Sequence, residues 1–398
     1  AITFQRCINP SCASISLSDE DECVVCGGAV KLFPLYQPKG FRPVGEPRDY
    51  DGQRARGPSI LPPVLAFTPS YEDGLRLGAA QFALTSLREI ALVNDNKGEM
   101  FVFRKRRDTV VVKDERLYNK EIYRKLDQQE MEVIGTGAIG TVFSTDVLSL
   151  IITSLPTGIG CHGVLDADEL NSEYAVASFS ELLRLALATH LDISPDELRV
   201  GRQRYLDTNG STYQIFIADA LENSAGYVRH VFNDGNLRDV IYDHYHHLKE
   251  KWEGETHKSC DSSCPDCLRN YGNRMSHGYL DWRLALDLTE LVLGLPLNEG
   301  RWMDKVQKTA DNFIALCRQF AFDSIKQEDA VKLTAIVSDN KAIIVTHPMW
   351  HKNDGLCTDA QLLAQDQLRA NYRNIDCRYV DIRNLLLRPQ DAISWLGD

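Results

Sequence analysis

Apolar positions change period along the chain, and each change predicts a different kind of element. Residues 64–155 alternate apolar and polar positions and carry β-branched runs such as Thr109-Val110-Val111-Val112, which predicts a mainly β segment. Within it, 87–93 and 100–103 flank Asn94-Asp95-Asn96-Lys97-Gly98, turn chemistry that predicts a hairpin. The period then lengthens. Phe179, Leu182, Leu183, Ala186 and Leu187 form one stripe of a predicted helix over 173–191. A strand at 213–217 follows, then helices near 225–232 and 236–252, and a helix over 280–293 with the stripe Leu280, Leu284, Leu288.

Beyond residue 300 the pattern predicts a helix near 304–323, strands at 333–338 and 342–346, a helix near 358–371 and a strand at 377–380. Residues 43–63, rich in Pro, Gly and Arg, read as a linker. The expected class is α+β: an N-terminal zinc ribbon, a mixed sheet with packed helices pinned by a second zinc site, and a small α/β C-terminal unit. The expected boundaries are 1–35 for the ribbon, 36–63 for the linker, 64–298 for the central module and 299–398 for the C-terminal unit.

Length supports such a division, since 398 residues exceed one compact core of typical size. No apolar run reaches the length of a membrane span and no signal-peptide pattern is found, so a cytoplasmic protein without a membrane partner is expected. A net charge of −12 argues against a protein that coats nucleic acid by itself, because such affinity comes mostly from cations meeting phosphates. Local basic patches remain candidates. Arg104-Lys105-Arg106-Arg107 is the densest, although such a run is more often a solvated strand end. The chain opens at Ala1 with a strand-like segment running straight into a cysteine knuckle, which reads as an internal cut through a larger polypeptide.

The cysteines carry the chemistry. Cys7-x4-Cys12, ten residues, then Cys23-Val24-Val25-Cys26-Gly27-Gly28 has the spacing of a four-thiol zinc ribbon. A second cluster, Cys260-Asp261-Ser262-Ser263-Cys264-Pro265-Asp266-Cys267, sits in a polar segment where three unrelated core cysteines are not expected. Tetrahedral Zn²⁺ needs a fourth donor. His257 could supply it locally and His277 from the far side; spacing does not decide, with His257 the more direct. A redox Cys-x-x-Cys would not need Cys260, and a zinc deaminase needs a His-x-Glu that the chain lacks. The second site therefore reads as closed and structural, and the first as a structural zinc with an iron–sulfur site or two disulfides as alternatives, so two zinc ions per chain are expected. Cys161, Cys317, Cys357 and Cys377 read as core residues, although Cys161-His162 could reach a metal through the fold.

Two other motifs are set aside. Gly135-Thr136-Gly137-Ala138-Ile139-Gly140 matches a dinucleotide fingerprint but precedes a β-branched stretch instead of a helix, and reads as a glycine-rich β turn. Asp339-Asn340-Lys341 could be taken for part of a Mg²⁺ nuclease, but it lies between two apolar strands and reads as their turn. No Gly-x4-Gly-Lys-Ser/Thr loop occurs, so no ATPase motor is encoded here.

The zinc loop with Leu268-Arg269-Asn270-Tyr271-Gly272-Asn273-Arg274, then His277 and Leu280-Asp281-Trp282-Arg283, resembles the cysteine-rich C-terminal module of large bacterial superfamily-two helicases. These include mitomycin-repair helicases and helicases of anti-phage systems such as DISARM and Druantia. Phe143-Ser144-Thr145-Asp146-Val147-Leu148, Ser180-Glu181-Leu182-Leu183 and the segment 219–227 also fit, and the resemblance covers about residues 30–295. A Cys-x-Cys frequent in that family is incomplete here, because Lys258 stands at the first position, and a histidine would complete the site.

The resemblance implies the accessory portion of an ATP-dependent DNA helicase or translocase, serving phage defence or DNA repair. Its partners would be single-stranded or forked DNA, motor domains in cis or in trans, and other defence-system subunits. Arg269, Tyr271 and Arg274 become candidate DNA contacts, whereas Trp282 fits the packing stripe of its helix better. Two alternatives remain: a non-catalytic scaffold that docks on a helicase partner, and a metal nuclease using the tail.

Overall fold

The computed structural model describes residues 2–17, 20–38, 62–106, 109–112, 124, 130–160, 170–207, 210–257, 259–320 and 322–397. The spine of the larger sheet is β9 (Glu132–Ile152), long enough to serve different neighbours at its two ends. β6 (Ala80–Asn94) runs antiparallel along most of it. At the Glu132 end β9 pairs with β7 (Phe101–Arg106), and near Ile151 with β11 (Gly210–Asp219), whose other edge carries β10 (Leu198–Asp207). The ribbon strands β1 (Ile2–Cys7), β2 (Ile15–Ser16) and β3 (Val30–Tyr36) join where Leu35 and Tyr36 run parallel to Ala138 and Ile139. Short strands β4 (Pro63–Leu65) and β5 (Leu75–Leu77) pair with β6, and β8 (Thr109–Val112) with β7.

The glycines of 135–140 lie inside β9, not at a turn. A Cβ on Gly137 would run into the Pro34 carbonyl and one on Gly140 into the Leu92 carbonyl, so these glycines let the ribbon and β6 approach the spine. The fingerprint-like spacing therefore reflects strand packing.

Helix α1 (Leu170–His190) lays Phe179, Leu182, Leu183 and Leu187 against Phe82, Leu148, Leu150, Ile215 and Ile217 of the sheet. After α2 (Tyr227–Asn233) and α3 (Leu237–Glu253) comes α4 (Trp282–Leu293), in which every residue is buried. A single stripe, as the sequence suggested, would have left a solvated face. Instead its polar residues find partners: Arg283 donates to the Cys260 and Asp261 carbonyls, while Asp287 and Glu290 take Arg301. Tyr245 of α3 also donates to Glu290, at 2.6 Å. Capping by Asp281 starts α4 and Gly294, at φ 73°, ends it.

Helix α5 (Gly300–Gln319) follows, bringing Trp302, Phe313 and Cys317 into the same core. The second sheet runs β12 (Lys326–Ala330), β13 (Leu333–Ser338), β14 (Lys341–Thr346) and β15 (Asp376–Asp381). The last two strands are parallel and joined through α6 (Asp359–Asn371), which opens on a Thr358/Gln361 capping box. Ile336, Ile343 and Val345 extend the main core beneath this sheet. Asp339, at φ 51°, makes the β13–β14 turn, and Lys341 donates to the Trp395 carbonyl at 2.7 Å. Helices α7 (Ile382–Leu387) and α8 (Pro389–Gly397), not foreseen from the pattern, close the chain.

Candidate metal centres and the loop they hold

The first centre grows out of β1. Cys7 ends that strand, a tight turn carries Cys12 back with its N–H on the Asn9 carbonyl, and a second knuckle holds Cys23 and Cys26. Gly27, at φ 64°, supplies the left-handed residue that lets its N–H reach the Cys23 carbonyl. The sulfurs of Cys7 and Cys26 lie 3.6 Å apart and those of Cys12 and Cys23 3.8 Å apart. Zn–S bonds of about 2.3 Å in a tetrahedron separate sulfurs by about 3.8 Å, so the donor set fits zinc. None of these thiols is in a disulfide.

Electrostatics agree with a donor set built for a cation. Burial pushes the Cys7 thiol up to about 12 and raises Cys12. Burial also works against a Cys23 thiolate, but the Ser14 hydroxyl and backbone N–H groups outweigh it and bring that thiol to about 7. A divalent ion supplies the charge that would hold all four as thiolates.

In the second centre, His257, Cys260, Cys264 and Cys267 converge with every donor atom within 4.8 Å of the others. The His257 ring is oriented from α3. Its Nδ1 lies 3.2 Å from the Trp252 carbonyl oxygen, which can only accept, so Nε2 keeps its lone pair and faces the Cys264 sulfur at 3.4 Å. Helix α4 holds the other side, where the Trp282 indole donates to the Cys260 carbonyl at 3.1 Å. Burial raises the Cys260 thiol and pushes Cys267 up to about 12, again fitting an ion that stabilises thiolates.

His277 is elsewhere. Its Nε2 sits 3.0 Å from both the Asn270 carbonyl and the Asn273 side-chain oxygen, pinning the loop that follows the tetrad. Asn270 and Asn273 bond to each other's backbone N–H, and Asn273 donates to the Leu268 carbonyl, so the loop is stiff on its own account. On its outer surface Tyr271 is 71 % exposed, with the Arg274 guanidinium 4.7 Å from its ring centroid. Arg269 is half-buried and donates to Ser263. Trp282, only 2 % exposed, packs under the tetrad.

The other basic run is not brought here. Arg104 and Lys105 lie on β7, at the opposite end of β9 from β11. Arg106 ends that strand, while Arg107, Lys258, Cys161, His162 and most of the linker lie outside the described residues.

Two segments noted only as fitting a resemblance meet in space. Asp219 accepts from the N–H groups of Ala225, Gly226, Tyr227 and Val228 at the start of α2, and the Ser224 hydroxyl bridges it to buried Asp146. Burial opposes an Asp146 carboxylate, yet Arg229 at 2.7 Å and Ser224 outweigh it and hold its pKa below the usual range.

Residues 179–268 match the family model described as MZB, the MrfA Zn-binding domain, and all four residues of the second tetrad lie within that stretch. The segment is thus similar to a zinc-binding domain. The chain is also similar to the Druantia protein DruE of Escherichia coli (strain UMEA 4076-1), 25% identical over 301 residues, covering 69% of this chain and 16% of DruE. It thus spans about a sixth of that relative's length. Among solved structures, the crystal structure of DUF1998 helicase MrfA bound to DNA is similar at a TM-score of 0.32 and 14% identity, over 57% of this chain and 25% of that one. The module's metal chemistry rests on the donors described above. No helix among the described residues is long and apolar enough to cross a membrane.

Proposed function

We propose that this chain is the zinc-stabilised, DNA-engaging accessory portion of an ATP-dependent DNA helicase or translocase. The observation that carries the proposal is the loop between the second tetrad and α4, where the tetrad and hydrogen bonds hold exposed Tyr271 with the half-buried Arg274 guanidinium over its ring. An exposed ring with a cation over it suits stacking on unpaired bases without reading sequence. Similarity to DruE favours phage defence over repair as the setting, with motor domains in cis or in trans and other defence-system subunits as partners. Within this scheme residues 1–35, 36–63, 64–298 and 299–398 act as ribbon, linker, module and C-terminal unit. Arg104, Lys105, Arg106 and Arg107 serve as a separate phosphate contact.

Fluorescence anisotropy with labelled single-stranded, forked and duplex oligonucleotides tests this. Binding should be strongest to strands with unpaired bases, weaken steeply as salt rises, and weaken again in Tyr271→Ala and Arg274→Ala at unchanged zinc content. Absence of binding at low salt would defeat it. The net charge of −12 favours a second reading, a scaffold that docks on a separate motor subunit. Stable co-purification of such a motor, with no DNA binding, would select that reading.

A further inference from the structure

The loop that carries Tyr271 and Arg274 has two ends, and the tetrad holds one of them. The other end runs through Tyr279 into Asp281, the cap of α4, and there meets a side chain 102 positions further along the chain. Arg383, on α7, donates from Nε to the Asp281 carboxylate at 3.2 Å and from a terminal nitrogen to the Asn171 side-chain oxygen at 3.4 Å. Its guanidinium stands 3.9 Å from the centre of the Tyr174 ring, and that ring packs against Tyr279 with centroids 5.6 Å apart. The remaining Asp281 oxygen accepts from the Arg283 N–H at 3.1 Å, and the Asp281 N–H donates to the Ser178 hydroxyl at 2.8 Å. One junction therefore gathers α1, the end of the zinc loop, the start of α4 and α7.

Packing alone does not account for Arg383. Ile382 and Leu385 already bury α7 in the main core, whereas Arg383 turns to a carboxylate and a ring that both lie outside the C-terminal unit. Arg383 and Asp281 are buried together, and out of water one charge without the other is costly. The guanidinium is also aimed from its own side. Asp381 caps α7 through the Asn384 N–H at 2.9 Å and takes Lys352 at 2.9 Å, while Asn171, which accepts from Arg383, donates to the Pro348 carbonyl at 3.2 Å.

From this junction we infer that Arg383 is the positioning residue of the DNA-facing loop, fixing through Asp281 and through the Tyr174–Tyr279 pair the end that the tetrad does not hold. The loop is stiff within itself, so what remains to be set is its orientation, and two anchors set an orientation that one leaves free to pivot. Arginine suits the task because its flat face stacks on Tyr174 while its edge donates to Asp281. Orienting Tyr271 and Arg274 before DNA arrives removes an ordering cost from binding. The C-terminal unit thereby gains a part in DNA engagement without touching DNA. This inference rests on the DNA-engaging function proposed above and adds what orients the loop.

The deciding experiment is a double-mutant cycle read by oligo(dT) anisotropy on the full chain: wild type, Arg383→Met, Tyr271→Ala and the two combined. Arg383→Met should weaken binding about tenfold, the order of one lost stacked base, and should weaken it no further in the Tyr271→Ala background. Zinc should stay at two ions per chain, and hydrogen exchange should quicken over 271–281 while α1 keeps its protection. Tyr174→Leu breaks the stack without stranding the Asp281 charge, and it makes the same test if Arg383→Met does not fold. Equal losses in both backgrounds, or undiminished binding by Arg383→Met, would overturn the positioning role while DNA engagement stands. A wild-type chain that does not bind oligo(dT) would overturn both.

Discussion

The two metal centres use nearly the same donors for different structural ends. Around the first, the thiols are most of the core: Cys7, Cys23 and Val25 form a small cluster closed by Cys12, Val24, Cys26 and Val30. Around the second, Cys267 belongs to the main core, with Cys260 and Cys264 packed against it. At the knuckle end of the ribbon metal takes the place of a hydrophobic core, whereas Phe4, Ile15, Phe33 and Leu35 at its other end pack with Ala91, Val93 and Ala138 of the sheet. In the module, metal fastens a polar loop onto a core that α1, α3 and α4 have already made.

The sharpest way to break this comparison is to remove the metal. Structural zinc is worth about 10–16 kcal/mol to a small domain, so chelation should unfold the two knuckles of the ribbon and abolish exchange protection over residues 7–28. Under the same treatment α1 and α4 should stay protected while 257–279 loosens. Knuckles that remain protected without zinc would remove the distinction. Next in size, His257→Ala should lower zinc from two ions per chain to one and His277→Ala should leave it at two, as elemental analysis would show. Trp282→Ala should cost about 3–5 kcal/mol in denaturant unfolding, because it removes a buried indole that supports both core and loop. A loss near zero would mean that the loop is independent of α4.

Smaller effects refine the picture. Asp219→Ala should cost about 1–2 kcal/mol, the loss of a cap serving four N–H groups. Asp146 adds a pH dependence. Its folded pKa is depressed, so its stabilisation is present above the usual carboxylate range and lost as pH falls through the lower folded value. Arg229→Ala should shrink that acid-side loss in pH-dependent unfolding. Smallest, Tyr271→Ala should change stability by less than about 0.5 kcal/mol, since the ring is exposed. Its expected effect is on DNA affinity, about 1–3 kcal/mol per stacked base.

Much of the architecture was legible because local rules dominate it. Cysteine spacing announced two zinc sites, and the stripe Phe179, Leu182, Leu183, Leu187 announced α1. Asp339-Asn340-Lys341 read as a turn and is one. Where reading failed, the cause was distance in sequence. The glycines of 135–140 were taken for a turn because their reason for being small, the backbones of β3 and β6, lies far away along the chain. Helix α4 looked amphipathic because Arg301 and Tyr245, which neutralise its polar face, lie on other helices.

By itself, then, the sequence determined the donor inventory, the periods of the elements and the turn chemistry, all set by residues within a few positions of one another. Only the tertiary structure decided which histidine faces the thiols, because the end of α3 turns the His257 ring through the Trp252 carbonyl while Asn270 and Asn273 hold His277. It also decided that Asp146 and Asp219 share Ser224. The physical reason is that a buried polar group is satisfied by whatever the fold places beside it, and that partner is fixed only when distant segments pack.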